Sequence, residues 1–353
     1  MKIHIPHKDL PITNKKSLFI LTRPFLKDNL WQFNPEEFYK NNFSEDTFQY
    51  EVNINFADVV LLPFSINFYF ETKRQILLEE INAICKSRNI KAYGYISGDF
   101  GIQFPEFSNI IYFRQGGFKS KLSIQNKGFP VALSDHFQRI FQLEAPVPTE
   151  KETLAVIGFC GHATLSSTKR FKELLKCVLE NGKRFFKNPL NKVYEPLFAS
   201  AYERAKLLSY FEKSDTVKTN FIYRENYRGG AVSEAQRTKT TIEYYNNILA
   251  SNYVLCVRGA GNFSVRLYET LMLGKIPVFV NTDCLLPFED QINWKNHVVW
   301  VEWKDRGNIA KLVAEFHSNL STDEFVHLQI ANRKLWKETL SVKGMLEMIA
   351  NDL

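Results

Sequence analysis

The chain is short of the features that mark several large protein classes. Its 353 residues include five cysteines, Cys85, Cys160, Cys177, Cys256 and Cys284, an odd number with no C-x-x-C pair. A disulfide framework is excluded, and buried thiols in a reducing compartment are expected. No apolar run approaches the roughly 18–20 residues of a membrane-spanning helix. The longest, around Phe56–Phe64, is broken by Asp58 and Pro63, so any membrane contact is expected to be peripheral. Met1–Lys8 lacks the apolar segment of a secretory signal, which points to the cytoplasm. Neither a Walker A pattern, a G-x-G-x-x-G nor a G-x-S-x-G elbow occurs. P-loop nucleotide hydrolysis and serine-hydrolase chemistry are thereby set aside. His4, His7, His317 and His327 have no metal-ligand spacing, and no bound metal is expected.

What is present is ordinary in amount and particular in kind. Apolar residues make up 45% and charged residues 24%, the balance of a soluble globular protein. Aromatic residues reach 14%, with 30 phenylalanines, so aromatic cores are expected. Lys and Arg number 45 against 38 Asp and Glu, a net charge of +7. That excess suits an anionic ligand, but the bases are spread along the chain with acids between them, and no nucleic-acid partner is expected.

Branched and aromatic runs alternate with helical periodicity, the pattern of an α/β protein with mostly parallel sheets. Strands are expected at Ser17–Thr22, Asp58–Pro63, Lys91–Ile96, Asn109–Phe113 and Pro130–Leu133, with a helix over Glu71–Ser87. A linker follows at Glu144–Lys151, where two prolines stand among charges. Beyond it come strands at Thr153–Phe159, Asn220–Tyr223, Tyr253–Val257, Ile276–Asn281 and Val298–Val301. The helices there are expected over Lys169–Asn181, Thr238–Ser251, Ser264–Leu273, Asn308–Asn319 and Thr322–Ile349. At roughly 100–200 residues per domain, the chain divides into a Rossmann-like domain over 1–145, a second over 152–325, and a C-terminal helix over 326–353.

The most informative stretch runs from Leu255 to Val278. A strand ends, Gly259 and Gly261 relax a turn, and Ser264 is placed to cap a helix whose first N–H groups favour an anion. Arg266 and Glu269, three residues apart, project from one helix face. The arginine fork suits a diphosphate and the carboxylate suits two ribose hydroxyls, although the same spacing also makes a solvated ion pair. Gly274 stands where a helix end wants a positive φ. Other candidates sit after strand ends, where open α/β sheets place ligands. His162 follows the strand of the second domain, with Lys169 and Arg170 on the next helix start, and Arg224 ends a later strand. Each can equally be a structural histidine, a solvated helix start or loop surface.

These residues resemble the exostosin-like glycosyltransferases. The family pattern is a Cys-x-Pro-Arg-Gly-like turn, Ser-x-Arg-Leu-x-Glu-Ala, a Gly-Cys-Ile-Pro-Val strand, and Pro-Phe followed by Asp-Trp. Here Cys256-Val257-Arg258-Gly259, Ser264-Val265-Arg266-Leu267-Tyr268-Glu269-Thr270, Gly274-Lys275-Ile276-Pro277-Val278 and Leu286–Trp294 stand in the same order. Earlier echoes are Ala57–Phe64 and Ile157–Gly161. Val257 and Lys275 depart from the family's proline and cysteine.

The resemblance implies a GT-B fold, two Rossmann-like domains facing across a cleft with the C-terminal helix returning toward the first. It implies inverting transfer from a nucleotide sugar, most often UDP-linked, to an oligosaccharide or lipid-linked glycan in surface-polysaccharide synthesis. Arg258, Gly259, Ser264 and Arg266 then lie by the diphosphate and Glu269 by the ribose; His162, Arg170 and Arg224 are added as donor-site candidates from their own positions after strand ends. No Asp-x-Asp pair occurs, which favours arginines and helix dipoles over a metal for the leaving group. Inversion needs a base on the acceptor side. The candidates are Asp99, in the Gly-flanked turn Ser97–Gly101, and His136, beside Asp135. Another GT-B enzyme, an epimerase or a retaining transferase, and a non-catalytic scaffold subunit remain alternatives.

Overall fold

The structure, a computed structural model, describes residues 1–7, 17–27, 30–31, 47–187 and 194–352. These form two compact units. The first comprises Met1–Ala132, Leu285–Phe288 and Glu338–Leu353, the second Leu133–Cys284 and Glu289–Lys337.

The first unit is built on six parallel strands: β1 (Lys2–His4), β2 (Gln49–Tyr50), β3 (Val59–Leu61), β4 (Lys91–Ile96), β5 (Ile110–Arg114) and β6 (Asn126–Gly128). Their order is β2-β1-β3-β4-β5-β6. β3 is buried throughout, as a central parallel strand covered on both faces must be. Helices α1 (Ile66–Glu71) and α2 (Gln75–Arg88) pack Ile66, Leu78, Ile81 and Cys85 against one face. One helix over Glu71–Ser87 is therefore replaced by two, parted at Lys73, whose φ of 57° no helix continues through. The other face carries aromatic packing, with Phe19 stacked on Tyr95 at 5.8 Å between ring centroids and Phe113 against Phe129 at 5.3 Å.

Two expected strands of this unit are absent. Leu18 makes only an isolated antiparallel bridge to Phe64. Ile20–Phe25 winds as a 3₁₀ helix, with Pro24 inside and the Thr22 hydroxyl turned back to the Phe19 carbonyl at 2.7 Å. Proline offers no N–H to a ladder and the threonine bonds locally, so the apolar run is buried without pairing. Pro130–Leu133 lies just past the real edge strand, β6, and its proline cannot donate to β5.

In the second unit β7 (Ala155–His162), β8 (Val217–Arg224), β9 (Tyr253–Cys256), β10 (Ile276–Asn281) and β11 (Val299–Glu302) form a parallel sheet in the order β8-β7-β9-β10-β11. Its helices are α3 (His136–Phe141), α4 (Ser167–Lys187), α5 (Ser200–Glu212), α6 (Glu234–Leu249), α7 (Val265–Met272), α8 (Ile309–Asn319) and α9 (Thr322–Leu335). The core joins Ile157 and Phe159 of β7 to Leu207, Leu208 and Phe211 of α5, Leu255 of β9 and Val313 of α8. α5 is not among the expected helices, although Ala201, Ala205, Leu208 and Phe211 recur at i, i+4, i+7 and i+10 and form its buried face. Gly274 has the expected positive φ, 63°.

Residues 322–349 are not one helix. α9 ends at Leu335, a π-helical turn spans Trp336–Leu340, and α10 (Val342–Asn351) restarts with the Ser341 hydroxyl accepting from Gly344 N at 3.1 Å. α9 belongs to the second unit, whereas α10 adds Met345, Leu346 and Ile349 to the first unit's core. The last helix thus returns to the first unit, as expected. The first unit ends at Ala132 rather than 145, because α3 is fastened within the second. Asp135 caps α3, accepting from Gln138 N at 3.2 Å, and pairs with Arg333 of α9.

Candidate active site

The sheet of the second unit reverses direction between β7 and β9. From β7 the chain moves outward to β8, then back across to β9. In open α/β sheets ligands bind at the carboxyl ends of the strands flanking such a reversal. β9 pairs with β7 only at Tyr253↔Ile157 and Val254↔Gly158, while β8 follows β7 to the end, Arg224 opposite His162. Beyond Gly158 the carbonyls of β7 that share the direction of Val156, which bonds Asn252 N at 3.0 Å, have no strand to receive.

Two arginines fill that fork. Arg266, from α7, donates Nη2 to the Cys160 carbonyl at 2.8 Å, Nη1 to the Leu255 carbonyl of β9 at 3.4 Å, and Nε to the Tyr244 hydroxyl at 3.3 Å. Its guanidinium lies 4.3 Å from the Phe159 ring centroid. Arg204, from α5, donates Nη1 to the His162 carbonyl at 2.7 Å. Burial, and next the charge of Arg266, lower the Arg204 pKa to about 10, so both are charged at neutral pH. Among the described residues neither makes an ion pair. Glu173 acts on Arg204 and Glu269 on Arg266 only at longer range, and two neighbouring cations outside any ion pair concentrate positive potential at the strand ends. Arg266 has five N–H donors and its three bonds leave capacity for an anion. Gly161 permits the approach: a Cβ there would lie 2.9 Å from Arg266 Nη2.

Glu269, one turn further along α7, accepts from the Tyr244 hydroxyl at 2.5 Å and from the Tyr245 hydroxyl at 3.2 Å. Burial, and then the Glu269 charge, push the Tyr244 hydroxyl well above its usual range, so it stays a neutral donor. Tyr245 also meets His136 Nδ1. Burial, with Arg139 adding to it, lowers the His136 pKa. His136 therefore belongs to the second unit and joins Glu269 through one tyrosine, whereas the sequence reading put it in the first.

The other expected residues are placed differently. Ser264 holds the N-cap position of α7, buried and extended, yet its hydroxyl makes no capping bond. Gly259 closes the preceding turn, its N–H reaching the Phe263 carbonyl at 3.2 Å. Arg258 turns inward to a buried pair with Glu195 at 3.4 Å and stacks on Phe198 at 4.8 Å. Burial lowers its pKa, and Glu195 opposes that. Arg224 bonds the Thr240 carbonyl at 2.7 Å and Glu243 at 2.6 Å. His162 Nδ1 meets the Arg224 carbonyl at 2.9 Å. Arg170 is exposed over the Tyr202 ring at 4.5 Å, and Lys169 is exposed. Asp99 lies in the first unit, its side chain exposed and its backbone carbonyl packed against Gly116. Among the described residues no group of three His, Cys, Asp or Glu could hold a metal. The sequence reading missed Arg204, Tyr244 and Tyr245. Arg204 stands on α5, which is not among the expected helices, and the two tyrosines read as part of the α6 periodicity.

Two units, each a parallel sheet with helices, define an α/β protein, with charged and tyrosine side chains gathered at the sheet reversal of the second. Residues 200–316, most of that second sheet and its helices, match the Exostosin GT47 domain, so this part of the chain is similar to exostosin-like glycosyltransferases. It is 35% identical over 89 residues to "Probable glucuronosyltransferase 47 A" of Physcomitrium patens, covering 25% of this chain and 20% of that protein. It is 33% identical over 81 residues to "Probable beta-1,4-xylosyltransferase IRX10L" of Arabidopsis thaliana, covering 23% and 19%. The matched segment thus spans about a fifth of the length of these plant relatives. Among solved structures, TarM of S. aureus is 10% identical with a TM-score of 0.38 over 83% of this chain and 54% of that one, too loose a likeness to define a fold.

Proposed function

We propose that the chain is a GT-B glycosyltransferase that moves a sugar from a UDP-linked donor, with inversion, to an oligosaccharide or lipid-linked glycan in surface-polysaccharide synthesis. The observation that carries this reading is the pair Arg266 and Arg204, both held by backbone carbonyls where β7 and β9 part and neither in an ion pair among the described residues. A departing nucleoside diphosphate gains negative charge, and fixed cations there stabilise it without reorganising. The first N–H groups of α7 and the uncommitted Ser264 hydroxyl add donors beside them. Glu269 accepts two tyrosine hydroxyls, which orient its carboxylate, and in this reading that carboxylate meets the ribose hydroxyls of the donor. No metal takes part in this reading.

For the acceptor, Asp99 is the better base. His136 is held at Nδ1 by Tyr245 and acts here as a positioning residue for Glu269. Arg258 and Arg224, both engaged with carboxylates, shape the loops around the donor. Calorimetric titration with UDP, ADP and GDP tests the reading, followed by a donor screen for nucleotide release. Saturable UDP binding that Arg266→Ala weakens at least about tenfold is expected, since charge-assisted bonds are worth roughly 1.5–3 kcal/mol. Absence of binding to any of the three would leave a scaffold role instead.

A further inference from the structure

α4 is an amphipathic helix mounted with its polar side inward. Glu173, Cys177, Asn181 and Arg184, at i, i+4, i+8 and i+11, form the inner face. The Glu173 carboxylate accepts from Ala201 N at 3.1 Å, and Cys177 reaches the Phe198 carbonyl at 3.7 Å. Asn181 exchanges two bonds with the Glu195 backbone at 2.8 and 3.0 Å, and Arg184 pairs with Glu195 at 3.7 Å. The helix is held by hydrogen bonds and charge instead of by its apolar stripe.

That stripe faces out. Phe171, Leu175, Val178, Leu179 and Phe186 recur at i, i+4, i+7, i+8 and i+15 and all are exposed, Phe171 by 67% and Phe186 by 83%. A contiguous exposed row of large apolar side chains on one helix is a binding surface. Its composition selects the partner. The 21 residues of α4 hold seven Lys and Arg against two Glu, and Lys169, Lys172, Lys176 and Lys183 run along one flank of the stripe, all exposed. An apolar stripe edged by lysines matches acyl chains beneath anionic headgroups. No helix among the described residues is long and apolar enough to cross a membrane, so α4 can only lie along one. We propose that α4 is an interfacial membrane-binding helix for bilayers carrying anionic lipid. This does not rest on the donor-site reading.

The test is flotation of the full chain with vesicles of pure phosphatidylcholine and with vesicles containing phosphatidylglycerol, beside size-exclusion chromatography with light scattering. Wild type is expected to float with the anionic vesicles and not the neutral ones. Leu175→Glu/Leu179→Glu should abolish flotation with UDP titration and thermal unfolding unchanged, because neither side chain is packed inside. Lys172→Gln/Lys176→Gln should weaken binding about thirtyfold, from roughly 1 kcal/mol per lysine near an anionic surface, and flatten its salt dependence. The proposal is overturned if wild type stays unbound at low salt, or if Leu175→Glu/Leu179→Glu still floats. It is also overturned if that variant splits a solution dimer while wild type ignores vesicles.

Discussion

Arg266 and Glu269 share one face of α7 without touching, and the Tyr244 hydroxyl between them accepts from the arginine at 3.3 Å and donates to the glutamate at 2.5 Å. The spacing that suggests an intrahelical ion pair instead serves two separate tasks. The arginine is fastened to the strand ends and the carboxylate to a pair of tyrosines.

Tyr244→Phe removes both bonds at once and keeps the ring beside Arg266. It should lower stability by about 1–3 kcal/mol, the range for leaving charged partners unmet, and weaken UDP binding several-fold. Thermal unfolding and calorimetry on the same preparation check this. Unchanged values for both would remove Tyr244 from the site.

Gly161→Ala places a methyl carbon where Arg266 Nη2 now passes. The flexible arginine must shift off the Cys160 carbonyl, so UDP affinity should fall about tenfold while the melting temperature moves little. Loss of fold without any loss of affinity in the folded fraction would contradict the close approach.

Asp99→Asn and His136→Gln separate base from positioning residue. General base removal typically costs 10²–10⁴ in rate. Asp99→Asn should lose roughly that much turnover with UDP affinity intact, whereas His136→Gln should raise the Kd for UDP through Tyr245 and Glu269. Reversal of the two patterns in steady-state and binding measurements would exchange their roles.

Lys275 lies almost wholly buried with its Nζ 3.2 Å from the Thr149 hydroxyl. Burial lowers its pKa from 10.5 to about 8. Below pH 8 the amine is charged in folded and unfolded chains alike, and the folded chain bears the full desolvation cost. Between 8 and 10.5 the unfolded chain binds more protons, so this contribution to stability rises with pH. Denaturant unfolding at pH 7, 8 and 9 should show that rise in wild type and not in Lys275→Met. The substitution should also stabilise the chain by about 2–4 kcal/mol at pH 7. A Lys275→Met chain with the wild-type pH slope would refute it.

The parallel α/β class and the β9–α7–β10 unit were legible because buried strands and a capped helix leave local marks. Lys91–Ile96 and Ile276–Asn281 match their expected bounds residue for residue. Ser17–Thr22 was not legible. Its apolar content anticipates burial but not pairing, and a proline two residues on decides the matter. The donor-site cluster was half legible. Arg266 and Glu269 announce themselves by spacing after a strand end, but their partners come from α5, α6 and β7, tens of residues away. Arg258 shows what spacing leaves open, a motif arginine whose side chain the fold turns onto Glu195. Only tertiary packing sets that direction.

The chain passes from one unit to the other at Ala132, Cys284, Phe288 and Lys337. No single cut therefore yields two intact halves. A fragment stopping near residue 145 forfeits Met345, Leu346 and Ile349 along with Leu285–Phe288, and bares the aromatic interior they cover. Dissection of this protein by truncation will report aggregation, and the separate roles of its halves must be reached by point substitution in the whole chain.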